Sequence, residues 1–138
     1  MSQRTPHPHF DDKGTLTWHT RWASALAAAK AEKKLVFIEM GRELCSQCRA
    51  LVQGVVPHPE VAPVLSQHFV ALASDADDPE AEVLALANEL EDAYMLPFVM
   101  FADADGKFLA GSSGATNPLS FQRALIGRNR SPCANNGA

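Results

Sequence analysis

The sequence predicts an α/β fold in which a small mixed β-sheet carries helices on both faces. Two short apolar runs, residues 35–38 and 69–73, are typical of buried central strands because they do not alternate with polar residues. Residues 98–101 and 107–110 enclose the sequence Asp-Ala-Asp-Gly, which indicates a β-hairpin. Helical patterns stand between the strands, so helices can cover both faces of one sheet.

The length and composition are those of one domain. The chain has 138 residues, of which 46% are hydrophobic and 20% are charged, enough for a core of ordinary size. Its net charge of −4 is not collected in blocks, which argues against nucleic acid or an anionic membrane as partner. No stretch approaches the roughly 18 apolar residues of a membrane span, and residues 1–14 lack the apolar centre of a signal peptide. We therefore expect a cytoplasmic protein, or a periplasmic one if a leader has been removed.

The predicted order of elements is α-β-α-α-β-α-β-β-α. Residues 1–14 are polar and are interpreted as a disordered arm, in which His7 and His9 are tail residues. Residues 15–127 form the domain, and residues 128–138 form a flexible tail.

Each predicted helix has its own signal. Residues 18–33 are rich in good helix formers, and a second helix over residues 45–56 ends at Pro57. A third helical stretch surrounds Val61, and residues 79–91 form a fourth, with apolar residues at helical spacing. The last helix has proline in its first turn and is predicted to stop at glycine, over residues 118–127.

The most informative motif is the pair Cys45 and Cys48, which follows the first apolar run at the start of a helix. This placement puts the first sulfur at the helix N-terminus, where unpaired backbone N–H groups stabilise a thiolate. The second thiol lies one turn further on the same face and can attack a mixed disulfide formed by the first. The pair therefore predicts dithiol–disulfide exchange. The third cysteine, Cys133, lies in the polar tail and is interpreted as an incidental thiol, with a relay or intermolecular role as the alternative.

From about Trp18 to Ile126 the sequence resembles the thioredoxin superfamily. The resemblance rests on residues 35–48 and on the later sequence Met-Leu-Pro-Phe-Val-Met-Phe at residues 95–101. It implies a thioredoxin-like three-layer sandwich. It also implies that Pro97 follows a cis peptide bond and lies beside the active-site sulfurs.

The resemblance also assigns a role to Glu39, six positions before Cys45. Thioredoxins have a buried acid there, beneath the resolving cysteine, so Glu39 is expected to exchange a proton with Cys48. The alternative is an acid that turns to solvent at the end of the strand. The predicted catalytic set is therefore Cys45, Cys48, Glu39 and Pro97.

Two departures from thioredoxin itself leave the direction of the reaction open. Thioredoxin has tryptophan before the first cysteine and Gly-Pro between the two, whereas this chain has Leu44 and the dipeptide Ser46-Gln47. The added helix near Val61 resembles a thioredoxin-like branch, some members of which act in the periplasm on protein disulfides.

We expect a monomeric thiol–disulfide oxidoreductase that reduces or oxidises disulfides in protein substrates. The reaction needs no bound cofactor or metal, because the cysteine pair itself carries the electrons. Its partners would be a disulfide-containing protein and an upstream thiol reductant or oxidant. Two other functions fit the motif: a chaperone that binds copper(I) through two thiolates, and a non-enzymatic thioredoxin-like module that binds polypeptides.

Overall fold

The computed structural model describes residues 5–91 and 93–129. Its strands and helices, in chain order, are β1 (Trp18–His19), α1 (Trp22–Glu32), β2 (Leu35–Gly41), α2 (Ser46–Ala50) with a π-helical turn (Leu51–Val55), α3 (Ala62–His68), β3 (Phe69–Asp75), α4 (Ala81–Ala87), β4 (Phe98–Ala102), β5 (Phe108–Ser113) and α5 (Pro118–Asn129). Over these two stretches, we find no helix that has both the length and the apolar surface to span a bilayer.

The five strands form one mixed sheet in the order β1-β3-β2-β4-β5. Strand β3 runs parallel to β1 and β2, whereas β4 is antiparallel to β2 and β5. Because β2 has a partner strand on both sides and helices above and below, almost all of it is buried. This explains why its sequence is a nearly unbroken apolar run.

Alternate side chains of β2 enter two separate cores, which makes the domain a three-layer sandwich as predicted. Val36 and Ile38 pack with α1 and α4 on one face. Phe37 packs on the other face with the π-helical turn, α3 and α5. Cys48 belongs to this second core, so the active-site motif lies on the Phe37 face.

The N-terminal segment differs from the disordered arm that the sequence predicted. Residues 5–14 pack on the domain, and His7, Phe10 and Asp12 are buried. The Asp12 carboxylate accepts the indole N–H of Trp18 at 2.9 Å and the backbone N–H of Leu16 at 2.9 Å. The segment is therefore held by a few specific contacts, which a polar composition does not reveal.

Some element boundaries also differ from the predicted ones. Trp18 and His19 form an edge strand on β3, so the first helix begins only at Trp22. The last helix continues past Gly127 to Asn129. The rest of the predicted tail, with Cys133, lies outside the described residues.

Candidate active site

Cys45 and Cys48 form a disulfide at the start of α2, with their Cα atoms 5.3 Å apart. Strand β2 ends at Gly41, and a short loop leads to Cys45, which is the residue that caps α2. The backbone N–H of Cys48 donates to the Cys45 sulfur at 3.1 Å. Such an N–H would also stabilise negative charge on this sulfur when the pair is reduced.

The two sulfurs have different access to solvent. Cys45 is partly exposed, whereas Cys48 is completely buried in the core on the Phe37 face. A disulfide that approaches from outside can therefore reach Cys45 but not Cys48. This asymmetry is the one that an attacking and a resolving thiol require.

Glu39 lies on the same face of β2 as Phe37 and is buried, at 2% exposure. Its partners across the sheet are Ala73 on β3 and Val99 on β4. The structure thus has the acid pointing into the domain, beside Cys48, rather than to solvent. Its role in proton transfer remains a prediction.

Gly41 explains how the carboxylate and the resolving sulfur come so close. A Cβ atom built on Gly41 would lie 2.7 Å from the sulfur of Cys48 and would also collide with Oε2 of Glu39. Both groups therefore border the space that a side chain at this position would fill. Only glycine leaves that space free.

The second oxygen of Glu39 has a partner that the sequence did not suggest. Oε1 of Glu39 lies 2.7 Å from Nε2 of His7, and both side chains are 2% exposed. His7 was predicted to be a tail residue. The signal that could have located it is Phe10, a lone aromatic residue in an otherwise polar segment.

Pro97 lies directly before β4, is buried, and follows a cis peptide bond from Leu96. In the antiparallel ladder of β2 and β4, Met40 pairs with Phe98, so Pro97 comes beside the end of β2 where Gly41 lies. All four predicted site residues therefore converge on this end of the two central strands. The contribution of Pro97 to substrate binding remains a prediction.

A cavity of about 260 Å³ opens beside this cluster and is bordered by His7, Glu39 and Gly41. Acidic residues at the end of β3 and after it also line the cavity, among them Asp75 and Asp78. Among the residues that the structure describes, no group of three or more His, Cys, Asp or Glu side chains is arranged to hold a metal ion.

The sequence matches the family described as thioredoxin-like over residues 17–104, which is more than half of the chain. No curated protein sequence matches it.

Solved structures of the same fold include a thioredoxin, a disulphide isomerase and a putative disulphide-isomerase. A thioredoxin from Thermus thermophilus is 23% identical with a TM-score of 0.67, over 83% of this chain and 87% of that one. A putative disulphide-isomerase from Bacteroides thetaiotaomicron is 21% identical with a TM-score of 0.66, over 94% and 99% of the two chains. A disulphide isomerase from Xylella fastidiosa Temecula1 is 21% identical with a TM-score of 0.64, over 78% and 88%.

Proposed function

Because the chain belongs to the thioredoxin-like family, we propose that it exchanges disulfides with protein substrates through Cys45 and Cys48. The observation that carries this proposal is the asymmetric pair: one sulfur is within reach of solvent, and the other is buried beside an acid. A structural disulfide has no need of that arrangement.

The proposed reaction begins when the Cys45 thiolate attacks one sulfur of a substrate disulfide. A bond forms between Cys45 and the substrate, the substrate's own S–S bond breaks, and the released thiolate takes up a proton. Cys48 then gives its proton to Glu39 and attacks the Cys45 sulfur. The Cys45–Cys48 bond forms as the mixed disulfide breaks. The second substrate thiolate takes up a proton from water, Glu39 returns its proton to water, and the substrate leaves as a dithiol with two more electrons. The same steps in reverse oxidise a dithiol.

The surface around the pair supports a polypeptide as substrate. Leu44, directly before Cys45, is 90% exposed, and Tyr94 and Met95, just before Pro97, are 84% and 59% exposed. Apolar side chains that are exposed together in one patch mark an interaction surface, and these three belong to the two segments that form the site. We propose that an apolar stretch beside the substrate's disulfide contacts these residues.

The proposal requires a second partner that returns the pair to its starting redox state. Such a partner is a thiol donor if the protein is a reductase, and a disulfide or other thiol oxidant if it is an oxidase. No bound cofactor takes part in the proposed cycle, because the cysteine pair carries both electrons.

Reduction of insulin by dithiothreitol tests whether proteins are substrates. We expect catalytic amounts of the protein to accelerate the precipitation of the insulin B chain by on the order of tenfold or more, as a nucleophilic catalyst would. The same protein, first reduced and then alkylated with iodoacetamide, serves as the control. Acceleration with small disulfides but none with insulin would contradict a protein substrate.

A further inference from the structure

His7 reaches the active site from a part of the chain that lies 32 residues before Glu39. Its ring stacks on Phe10 at 5.4 Å and meets the edge of Trp18 at 4.7 Å. Phe10 in turn lies under the guanidinium of Arg49, which belongs to α2. The histidine is therefore fixed between the N-terminal segment, the sheet and the active-site helix.

The hydrogen bonds of His7 determine which ring nitrogen carries the proton. Nδ1 accepts the backbone N–H groups of His9 at 3.0 Å and Phe10 at 3.2 Å. A nitrogen that accepts two N–H groups has no room for a proton of its own, so the ring proton is on Nε2. His7 therefore donates Nε2–H to Oε1 of Glu39.

Because of this hydrogen bond, the two oxygens of the Glu39 carboxylate are not equivalent. Oε1 already accepts a hydrogen bond, whereas Oε2 points to the space beside Gly41 that the sulfur of Cys48 also borders. An oxygen that already accepts a strong hydrogen bond is the poorer site for a new proton. Of the two carboxylate oxygens, Oε2 is therefore the one placed to accept the proton of Cys48, and the carboxylate cannot rotate away without breaking the bond to His7.

We propose that His7 is a positioning residue for the resolving step, which it assists by holding Glu39 so that Oε2 receives the proton of Cys48. This inference rests on the proposed function. In the step itself, the Cys48 proton passes to Oε2, the Cys48 sulfur bonds to Cys45, and the Cys45–substrate bond breaks. The leaving thiolate is protonated by water, and Glu39 returns its proton to water.

Reaction with Ellman's reagent separates the two chemical steps. Attack by Cys45 releases one coloured thiolate in a phase that depends on reagent concentration. Attack by Cys48 on the mixed disulfide releases a second coloured thiolate, in a first-order phase whose rate does not depend on reagent concentration. All proteins would carry Cys133→Ser, so that only these two thiols react.

The test compares the second phase of His7→Leu with that of His7→Gln at pH 7. We expect His7→Leu to slow the second phase about tenfold, which is a part of the rate that a general base contributes. In His7→Gln the amide still donates to Oε1 of Glu39, so the rate of this phase should stay within about twofold of the wild type. Glu39→Gln keeps an acceptor for His7 but cannot take the proton, and should slow this phase most, by about 10²-fold. His68→Leu, a histidine in the last turn of α3 outside this network, is the matched control and should match the wild type. The first phase should be the same in all variants.

The outcomes distinguish the positioning role from the proposed function. The positioning role of His7 is wrong if the second phase has the wild-type rate in His7→Leu, or if it is as slow in His7→Gln as in His7→Leu. Neither result contradicts the proposed disulfide exchange. A second phase in the wild type that depends on reagent concentration means that the two cysteines react independently. In that case the proposed function fails, and the role of His7 fails with it.

A spectroscopic measurement on the wild type covers the case in which His7→Leu does not fold. Long-range ¹H–¹⁵N spectra distinguish a protonated ring nitrogen from an unprotonated one. We expect His7 to carry its proton on Nε2 and none on Nδ1 at pH 7, in both the reduced and the oxidised protein. A proton on Nδ1 would contradict the inference.

Discussion

Replacing Cys45 with serine is expected to abolish disulfide exchange, whereas replacing Cys48 is expected to stop the reaction at the mixed disulfide. Cys45 is the sulfur that solvent reaches, so Cys45→Ser removes the nucleophile, and we expect the rate to fall by about 10³-fold or more. In Cys48→Ser the first attack proceeds, but the mixed disulfide is not resolved. With Cys133 replaced by serine in both proteins, non-reducing mass spectrometry after incubation with insulin should find covalent adducts with Cys48→Ser and none with Cys45→Ser.

The matched control is Cys133→Ser, which should retain the wild-type rate because this cysteine has no part in the proposed cycle. Adducts that form equally with both single variants would show that either thiol can attack. The division of labour inferred from the buried and the exposed sulfur would then be wrong.

Gly41→Ala is expected to affect both the stability and the chemistry of the site. The added methyl group would collide with Oε2 of Glu39 and would lie 2.7 Å from the sulfur of Cys48. Real Cβ atoms do not approach that closely, so the carboxylate or the cysteine must move. We expect the free energy of unfolding of the oxidised protein to fall by about 1–3 kcal/mol, the usual cost of overpacking a buried site. The second phase with Ellman's reagent should also slow, because the acceptor and the sulfur are forced apart.

Gly54→Ala is the control for this substitution. Gly54 lies in the π-helical turn after α2, is exposed, and has nothing within 4 Å of an added Cβ. Alanine there should leave the rates of both phases with Ellman's reagent unchanged. It should raise the free energy of unfolding by about 0.4–1 kcal/mol, because alanine lowers the conformational entropy of the unfolded chain. Urea denaturation measures both variants. Equal stability of Gly41→Ala and wild type would show that the space beside Gly41 is not needed.

The sequence predicted the fold and the cysteine pair because both depend on local patterns. An unbroken apolar run predicts a central strand, and the spacing of Cys45 and Cys48 places two sulfurs on one turn of a helix. The hairpin followed from its Asp-Gly turn, where Gly106 indeed has a positive φ of 90°. The resemblance added Glu39 and Pro97, whose places in the chain match the family motif.

The remaining parts of the site could not be predicted because they depend on contacts between distant segments. Phe10 indicates only that the N-terminal segment packs on the domain; no local pattern indicates that His7 would contact a strand that begins at Leu35. The importance of Gly41 is equally hidden, since it depends on two side chains that meet over one backbone position. Trp18 was assigned to a helix because its neighbours are good helix formers, but pairing with β3 places it in a strand.

A redox titration of the protein against glutathione buffers tests most directly that Cys45 and Cys48 act as one two-electron couple. With Cys133 replaced by serine, we expect a single transition between dithiol and disulfide, with a tenfold change in ratio for about every 30 mV. A midpoint of about −270 mV would indicate a reductase, and one of about −120 mV would indicate an oxidase. The account would be contradicted if the two thiols became glutathionylated separately and no Cys45–Cys48 disulfide formed at any buffer potential.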